Sequence, residues 1–249
     1  GRMNYRWINR RDRLEYPVAR TANALTPASW SEAVQQAAAA IEGATHVTVL
    51  ASPSLSNETL FLLSRIAAHV GASSVMTMER GDEVPLPGVP DLSLRAERVA
   101  NHTGAALFGF TESDAPLASL AAGDVLIVAD AAAAVTAIPD GVRVVVIGTV
   151  LHVVAALPVC NFAEEDGTFT NLRGRVQRFL QAKAAPAQAR PSYRVVGELA
   201  TALGAGSFPP LAADVFAVMA ATFPAFTGMS YRTLGLQGAP LPLLVEASA

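Results

Sequence analysis

Three short runs constrain this chain more than anything else in it: Val47–Ala51 (V-T-V-L-A), Asp124–Ala129 (D-V-L-I-V-A) and Val142–Ile147 (V-R-V-V-V-I). A strand with one wet face alternates apolar and polar residues, whereas a strand covered on both faces is apolar almost throughout. Runs of the second kind belong to sheets sandwiched between other layers. Helical patterns lie between them. Ser29-x-x-Glu32 is a capping box that opens a helix to about Ile41, with Trp30, Ala33, Val34 and Ala37 at helical spacing and Gly43 closing it. Asn57 to His69 forms a second, with Leu60, Leu63, Ile66 and Ala67 on one face and Gly71 as its stop. Ser74–Met78 reads as a further strand.

Strands alternating with helices imply βαβ units with right-handed crossovers. The expected fold class is therefore α/β: a mostly parallel sheet with helices on both faces, Rossmann-like and three-layered. Residues 79–93 carry three prolines and two glycines and read as a loop, and Ser93–Ala100 fits either element. Val142–Cys160 is the most membrane-like stretch. Arg143, Gly148, His152 and Pro158 interrupt it well short of the roughly 20 residues a span needs. Two buried strands joined by a turn suit it better, and no membrane insertion is expected. Lys183–Pro191 reads as an extended linker, followed by helices over Ser192–Leu203, ended by Gly204, and Leu211–Thr222. A tail rich in glycine and proline begins beyond Pro224. The expected organisation is an arm over 1–21, an α/β domain over 22–180 and a helical segment over 181–249.

Charge and cysteine usage exclude several functions. A net charge of −3 opposes bulk nucleic-acid binding. Residues 1–20 do hold Arg2, Arg6, Arg10, Arg11, Arg13 and Arg20, but no basic–aromatic module accompanies them. The strip fits an acidic neighbour or solvated charge. One cysteine, Cys160, rules out internal disulfides and a cysteine-ligated cluster made by this chain alone. Its apolar setting suggests a buried, inert thiol. His46, His69, His102 and His152 show no metal-ligand spacing.

The stretch Phe162–Gln177, F-A-E-E-D-G-T-F-T-N-L-R-G-R-V-Q, carries the remaining signal. Asp166-Gly167 supplies a dipeptide suited to a tight hairpin turn, and Thr168-Phe169-Thr170 a short strand. Asn171, Gly174, Arg175 and Gln177 follow without a clear period. This order, acidic residues then Asp-Gly-Thr-Phe, Asn171 and Gly-Arg-Val-Gln, resembles a late segment of molybdopterin-dependent oxidoreductases. It is closer still to the degenerate copy of that domain in the large iron–sulfur subunit of bacterial NADH-quinone oxidoreductase. Other stretches resemble the same family in the same order: Gly1-Arg2 through Pro17, Trp30-Ser-Glu-Ala33, the Asn57-Glu58 helix start, the Asn101–Gly104 turn, and Pro186–Gly204.

The resemblance implies a piece of a longer polypeptide whose iron–sulfur clusters lie upstream of Gly1, with no cofactor or metal held by this chain. It further implies contact with other subunits of the complex's peripheral arm, on the cytoplasmic face of a bacterial inner membrane. In catalytic relatives a Cys, selenocysteine or Ser ligates molybdenum and glycine-rich loops hold two pterins. Here the region between the second helix and Asn101 has no cysteine. A non-catalytic, shielding role follows, with Glu164, Asp166, Asn171 and Arg175 satisfying buried groups around the hairpin or touching a neighbour. A fragment of a molybdopterin enzyme such as a formate dehydrogenase is the alternative, and a free-standing α/β binding protein a second.

Read from the residues alone, dinucleotide binding is disfavoured. The turn after Val47–Ala51 is S-P-S-L-S-N-E, not G-x-G-x-x-G, and Gly148 stands alone after its strand. Ser52, Ser54 and Ser56 have no partner His or carboxylate in pattern, so helix capping by Ser54, Ser56 or Asn57 is their expected role. Glu58 fits a buried first-turn acid favoured by the helix dipole.

Overall fold

The computed structural model describes residues 8–21, 24–78, 80–89, 92–131, 135, 137–150 and 155–242. In chain order the elements are β1 (Val18–Arg20), β2 (Leu25–Pro27), α1 (Trp30–Glu42), β3 (Val47–Ala51), α2 (Asn57–Val70), β4 (Ser73–Met76), β5 (Val84–Pro85) and β6 (Ser93–Leu94). Then come α3 (His102–Leu107), β7 (Thr111–Glu112), β8 (Val125–Ala129), β9 (Arg143–Gly148), β10 (Ala155–Pro158), β11 (Gly167–Thr170) and β12 (Arg175–Phe179). The chain ends in α4 (Ser192–Ala202), α5 (Ala212–Thr222), a 3-10 turn (Pro224–Phe226), α6 (Tyr231–Leu234) and β13 (Ala239–Pro240).

An eight-stranded sheet runs in the order β2-β1-β10-β9-β8-β3-β4-β7. It is parallel from β10 to β7, with β1 antiparallel to β10 and to β2. The apolar runs form its centre: β3 and β8 are buried at every position, and β9 at all but Arg143. The α/β class and mostly parallel sheet read from the sequence are those of the structure.

Residue parity divides the core. Val49, Ala51, Ile127, Val145 and Leu157 face a layer containing α1, α2, α4 and α5. Leu50, Leu126, Val128, Val144 and Val146 face the other way, onto Leu14, Leu117, Leu120 and Ile138. That second layer consists, among the described residues, of irregular chain rather than helix. Pro139 and Gly141 break the crossover from β8 to β9, where a helix would need an unbroken run. The α4 and α5 helices of segment 181–249 share one continuous core with the sheet.

Local signals act as their chemistry requires. Ser29 and Glu32 form a reciprocal capping box on α1. Ser56 caps α2 through the Thr59 N–H, and Gly71 at φ 68° ends that helix in the left-handed region. Two expectations need correction. Asp166-Gly167 is not the hairpin turn: the turn is Asn171–Gly174, where Gly174 takes φ 67° and donates its N–H to Asn171 O at 2.8 Å. The Asn171 side chain fixes this turn by accepting the N–H groups of Arg173 and Arg175. Asp166 sits instead at the open end of the hairpin, accepting the Gln181 N–H at 2.8 Å. Arg175–Gln177, read without a period, lies in β12, which pairs with β11 on one side and β13 on the other. The Gly/Pro tail thus completes a second, three-stranded sheet. In the Val142–Cys160 stretch, β9 and β10 are neighbours as expected and run parallel, while residues 151–154 between them lie outside the described residues. No helix among the described residues is long and apolar enough to cross a membrane.

Candidate functional site

The sheet's strand order reverses beside β3: α2 and β4 go one way, and β8 to β10 the other. In open α/β sheets the crevice at the carboxyl ends of such strands is where ligands bind. Here the loop Ser52–Ser56, the start of α2, Asp130 and the Cys160–Phe162 loop meet at that edge. Hairpin β11–β12 packs over them.

The start of α2 carries a buried polar network. Asn57, Glu58, Thr59, Asn101, Thr168, Thr170 and Ser192 are each 0% exposed. Such groups persist in a core only if their hydrogen bonds are made. Asn57 donates through Nδ2 to Thr168 Oγ1 at 3.0 Å and accepts from Thr170 Oγ1 at 3.2 Å. Asn101 bridges the loop and the hairpin, donating to Leu55 O at 2.8 Å and accepting the Thr170 N–H at 2.7 Å. Glu58 accepts the Thr168 N–H at 2.9 Å, the Thr168 hydroxyl at 3.0 Å and the Tyr231 hydroxyl at 2.9 Å. Gly104 is required by this crowding. A Cβ there would stand 2.2 Å from Asn101 Oδ1 and 2.3 Å from Asn57 Oδ1. At Gly167 a Cβ would lie 2.9 Å from Ser56 Cβ, so the hairpin can approach the α2 cap only as glycine.

A second branch runs from the same helix start to α4. Glu165 accepts the Ser192 N–H at 2.6 Å and the Ser192 hydroxyl at 2.8 Å. The Ser192 hydroxyl meets Thr59 Oγ1 at 2.6 Å, which meets Ser56 Oγ at 2.9 Å. Burial pushes the Glu58 carboxyl up to about 7 and the Glu165 carboxyl up to about 8, outweighing the hydrogen bonds that pull the other way. Burial likewise raises Cys160 to about 12, which makes it an unreactive thiol.

Glu164 stands apart from the network. It forms a bidentate pair with Arg13, at 3.0 and 2.8 Å, and also accepts the Asn161 N–H at 3.1 Å. The two side chains are 5% and 0% exposed, so this pair fastens the N-terminal arm to the loop after β10. Asp130 takes φ 47°, unusual for a side chain other than glycine, and accepts both the N–H and hydroxyl of Thr149. Its carboxyl is raised, chiefly by burial.

Of the residues singled out by sequence, the structure brings Asn57, Glu58, Asn101, Gly104, Gly167 and Thr168 together. Asn171 and Gly174 build the hairpin turn away from them, where Gln177 accepts from the Asn171 side chain at 3.1 Å. Arg175 donates to Gly238 O at 2.8 Å. Gly1 and Arg2 lie outside the described residues. Sequence reasoning missed Glu165, Thr170, Ser192 and Tyr231. A second acid beside Glu164, and a serine opening a helix, were the only signals for the first and third. Nothing local marks Tyr231.

A family model described as "Molybdopterin oxidoreductase" matches residues 13–146 and 149–202. The chain belongs to the molybdopterin oxidoreductase family. Over 89 residues it is 43% identical to the F420-dependent formate dehydrogenase 2 subunit alpha of Methanococcus maripaludis, covering 34% of this chain and 13% of that protein. Over 99 residues it is 36% identical to the putative formate dehydrogenase YrhE of Bacillus subtilis, covering 36% of this chain and 10% of that protein. A third relative, the F420-dependent formate dehydrogenase subunit alpha of Methanocaldococcus jannaschii, is 34% identical over 93 residues, 36% of this chain and 14% of that protein. The matches thus span a small fraction of these relatives' length.

The family name implies a molybdopterin group. At the carboxyl edge, Asn57, Glu58, Asn101 and Glu165 bond partners within the chain, and Asp130 does so through Oδ1. Among the described residues no group of three His, Cys, Asp or Glu side chains is arranged to hold a metal. These bonds form a buried polar joint that fixes a hairpin and two helices against the sheet.

Proposed function

We propose that this molybdopterin-oxidoreductase domain is part of a formate-dehydrogenase-type subunit, in which it forms a rigid α/β wall rather than supplying reacting groups. The names of the three relatives described above, two formate dehydrogenases and one putative formate dehydrogenase, carry the choice of branch. The internally satisfied joint at the start of α2 supports the role of wall. A domain that must hold its edge still beside a redox centre gains from directional bonds that specify one geometry.

A second reading is a non-catalytic domain of the large iron–sulfur subunit of an NADH-quinone oxidoreductase, covering clusters and meeting other subunits of the peripheral arm. The chain's only cysteine favours it: Cys160 is buried and inert, and no cysteine lies between α2 and Asn101 to ligate molybdenum. In both readings electrons travel through groups held elsewhere in the assembly.

The two separate in one preparation. The full-length polypeptide, purified with whatever subunits accompany it, is assayed for formate-dependent reduction of a viologen dye and for bound molybdenum, tungsten and pterin. Formate turnover with metal and pterin present supports the first reading. NADH-dependent quinone reduction in a preparation free of all three overturns it in favour of the second.

A further inference from the structure

Glu58 and Glu165 share an arrangement that the role of wall does not require. Both are closed to solvent (0% and 4% exposed), and among the described residues no Arg, Lys or His side chain bonds either one. Their charged neighbours have been assigned elsewhere. Arg13 is committed to Glu164, and Arg178 on β12 lies over the Tyr231 ring at 4.5 Å while donating to Tyr231 O. Among the described residues the remaining titratable groups facing the pair are acidic, phenolic or a neutral thiol: Asp130 after β8, Cys160 after β10, Asp166 before β11, Tyr193 on α4 and Tyr231 on α6. Each acid nevertheless ties a different C-terminal element to α2. Glu58 holds the β11 backbone and α6, and Glu165 holds the first residue of α4.

We propose that protons on Glu58 and Glu165 latch the C-terminal layer (hairpin β11–β12, α4 and α6) onto the start of α2, and that losing them loosens this layer while the sheet stays intact. The geometry accommodates the protons. On Glu165 the added O–H donates to Ser192, whose hydroxyl turns to Thr59, whose hydroxyl turns to Ser56, along links of 2.8, 2.6 and 2.9 Å. On Glu58 the single added O–H is accepted by one of the two hydroxyls that meet Oε1, Thr168 or Tyr231, while the other goes on donating. Once ionised, the two carboxylates repel each other, with no cation bonded to either among the described residues to offset the desolvation. Both groups bind protons more tightly folded than unfolded. Their contribution is therefore complete below the ordinary glutamate range and is lost as pH rises through about 7 for Glu58 and about 8 for Glu165.

Hydrogen–deuterium exchange on the full-length polypeptide, corrected for intrinsic rates, tests this between about pH 6 and about pH 9. Peptides over β11 and the start of α4 should lose protection by about tenfold or more, with peptides over β8 and β9 unchanged. In the E58Q/E165Q double variant that loss should vanish. Unchanged protection of β11 and α4 in the wild type, or an equal loss in the double variant, overturns the latch. Should the double variant not fold, infrared spectroscopy of the wild type decides. A protonated-carboxyl carbonyl band that disappears over this range supports it, and the lack of such a band overturns it.

Discussion

Strands β3 and β8 on one side, and the hairpin strand β11 on the other, are about equally closed to water. Their interiors differ in kind. Every residue of β3 and β8 is buried, and all but Thr48 are aliphatic. In β11, Thr168 and Thr170 are 0% exposed, yet their hydroxyls and N–H groups all reach Asn57, Glu58 or Asn101. Apolar burial is non-directional, so it fixes that a layer packs and only loosely how. A buried network has one satisfied arrangement and penalises every other. The sheet therefore provides most of the stabilisation, and the joint at the start of α2 selects the position of the C-terminal layer.

Removing one partner from a buried polar pair should break this division most visibly. Glu164→Ala leaves the buried Arg13 guanidinium, 5% exposed in the native pair, with Val159 O as its remaining acceptor among the described residues, a loss of about 3–5 kcal/mol of unfolding free energy measured by denaturant titration. An Arg13→Met/Glu164→Leu pair should recover most of that, since the penalty comes from the stranded charge. A double variant no more stable than Glu164→Ala would mean that the pair itself supplies the stability. Next in size is Gly104→Ala. Its methyl would push apart Asn57 and Asn101 together, at about 3 kcal/mol. A change below about 1 kcal/mol would mean that the network re-forms easily.

How much of this was legible follows the same division. The runs at 47–51, 124–129 and 142–147 announced buried parallel strands because apolar burial writes itself into consecutive residues. The capping box at Ser29 and Glu32 did so because its partners are three residues apart. The polar joint did not, because its partners lie far apart in the chain: Asn57 with Thr168, and Glu58 with Tyr231. The family motif pointed to Asn57, Glu58, Asn101 and Thr168 without saying that they touch. Local turn chemistry misled at Asp166-Gly167, where the dipeptide is used for close approach and for the Gln181 N–H. The turn itself went to Asn171–Gly174, whose asparagine and positive-φ glycine offer the same chemistry. Branch was less legible than family. The motifs suggested an NADH-quinone oxidoreductase subunit, while the relatives described above carry formate dehydrogenase names, one of them putative, and those names favour that branch without excluding the other.

Two conservative substitutions sharpen the contrast, because size alone predicts the wrong order. Thr168→Val preserves shape and volume. It also removes the acceptor of the Asn57 amide and one donor to Glu58, leaving a buried N–H without a partner, at about 2 kcal/mol. Ile127→Val deletes a methylene from the centre of β8, facing α1 and α2, and should cost only about 1 kcal/mol, because the neighbouring aliphatic side chains close part of the gap. If packing governed both regions, the second change would be the more harmful. Urea midpoints at fixed pH order them, provided the slope of unfolding free energy against denaturant is unchanged. The same pair should separate by exchange: Thr168→Val speeds exchange in β11 and α4 first, whereas Ile127→Val lowers protection throughout the sheet. Equal costs with identical exchange patterns would mean that hairpin and sheet unfold as one unit, and that the joint specifies nothing the core does not already fix.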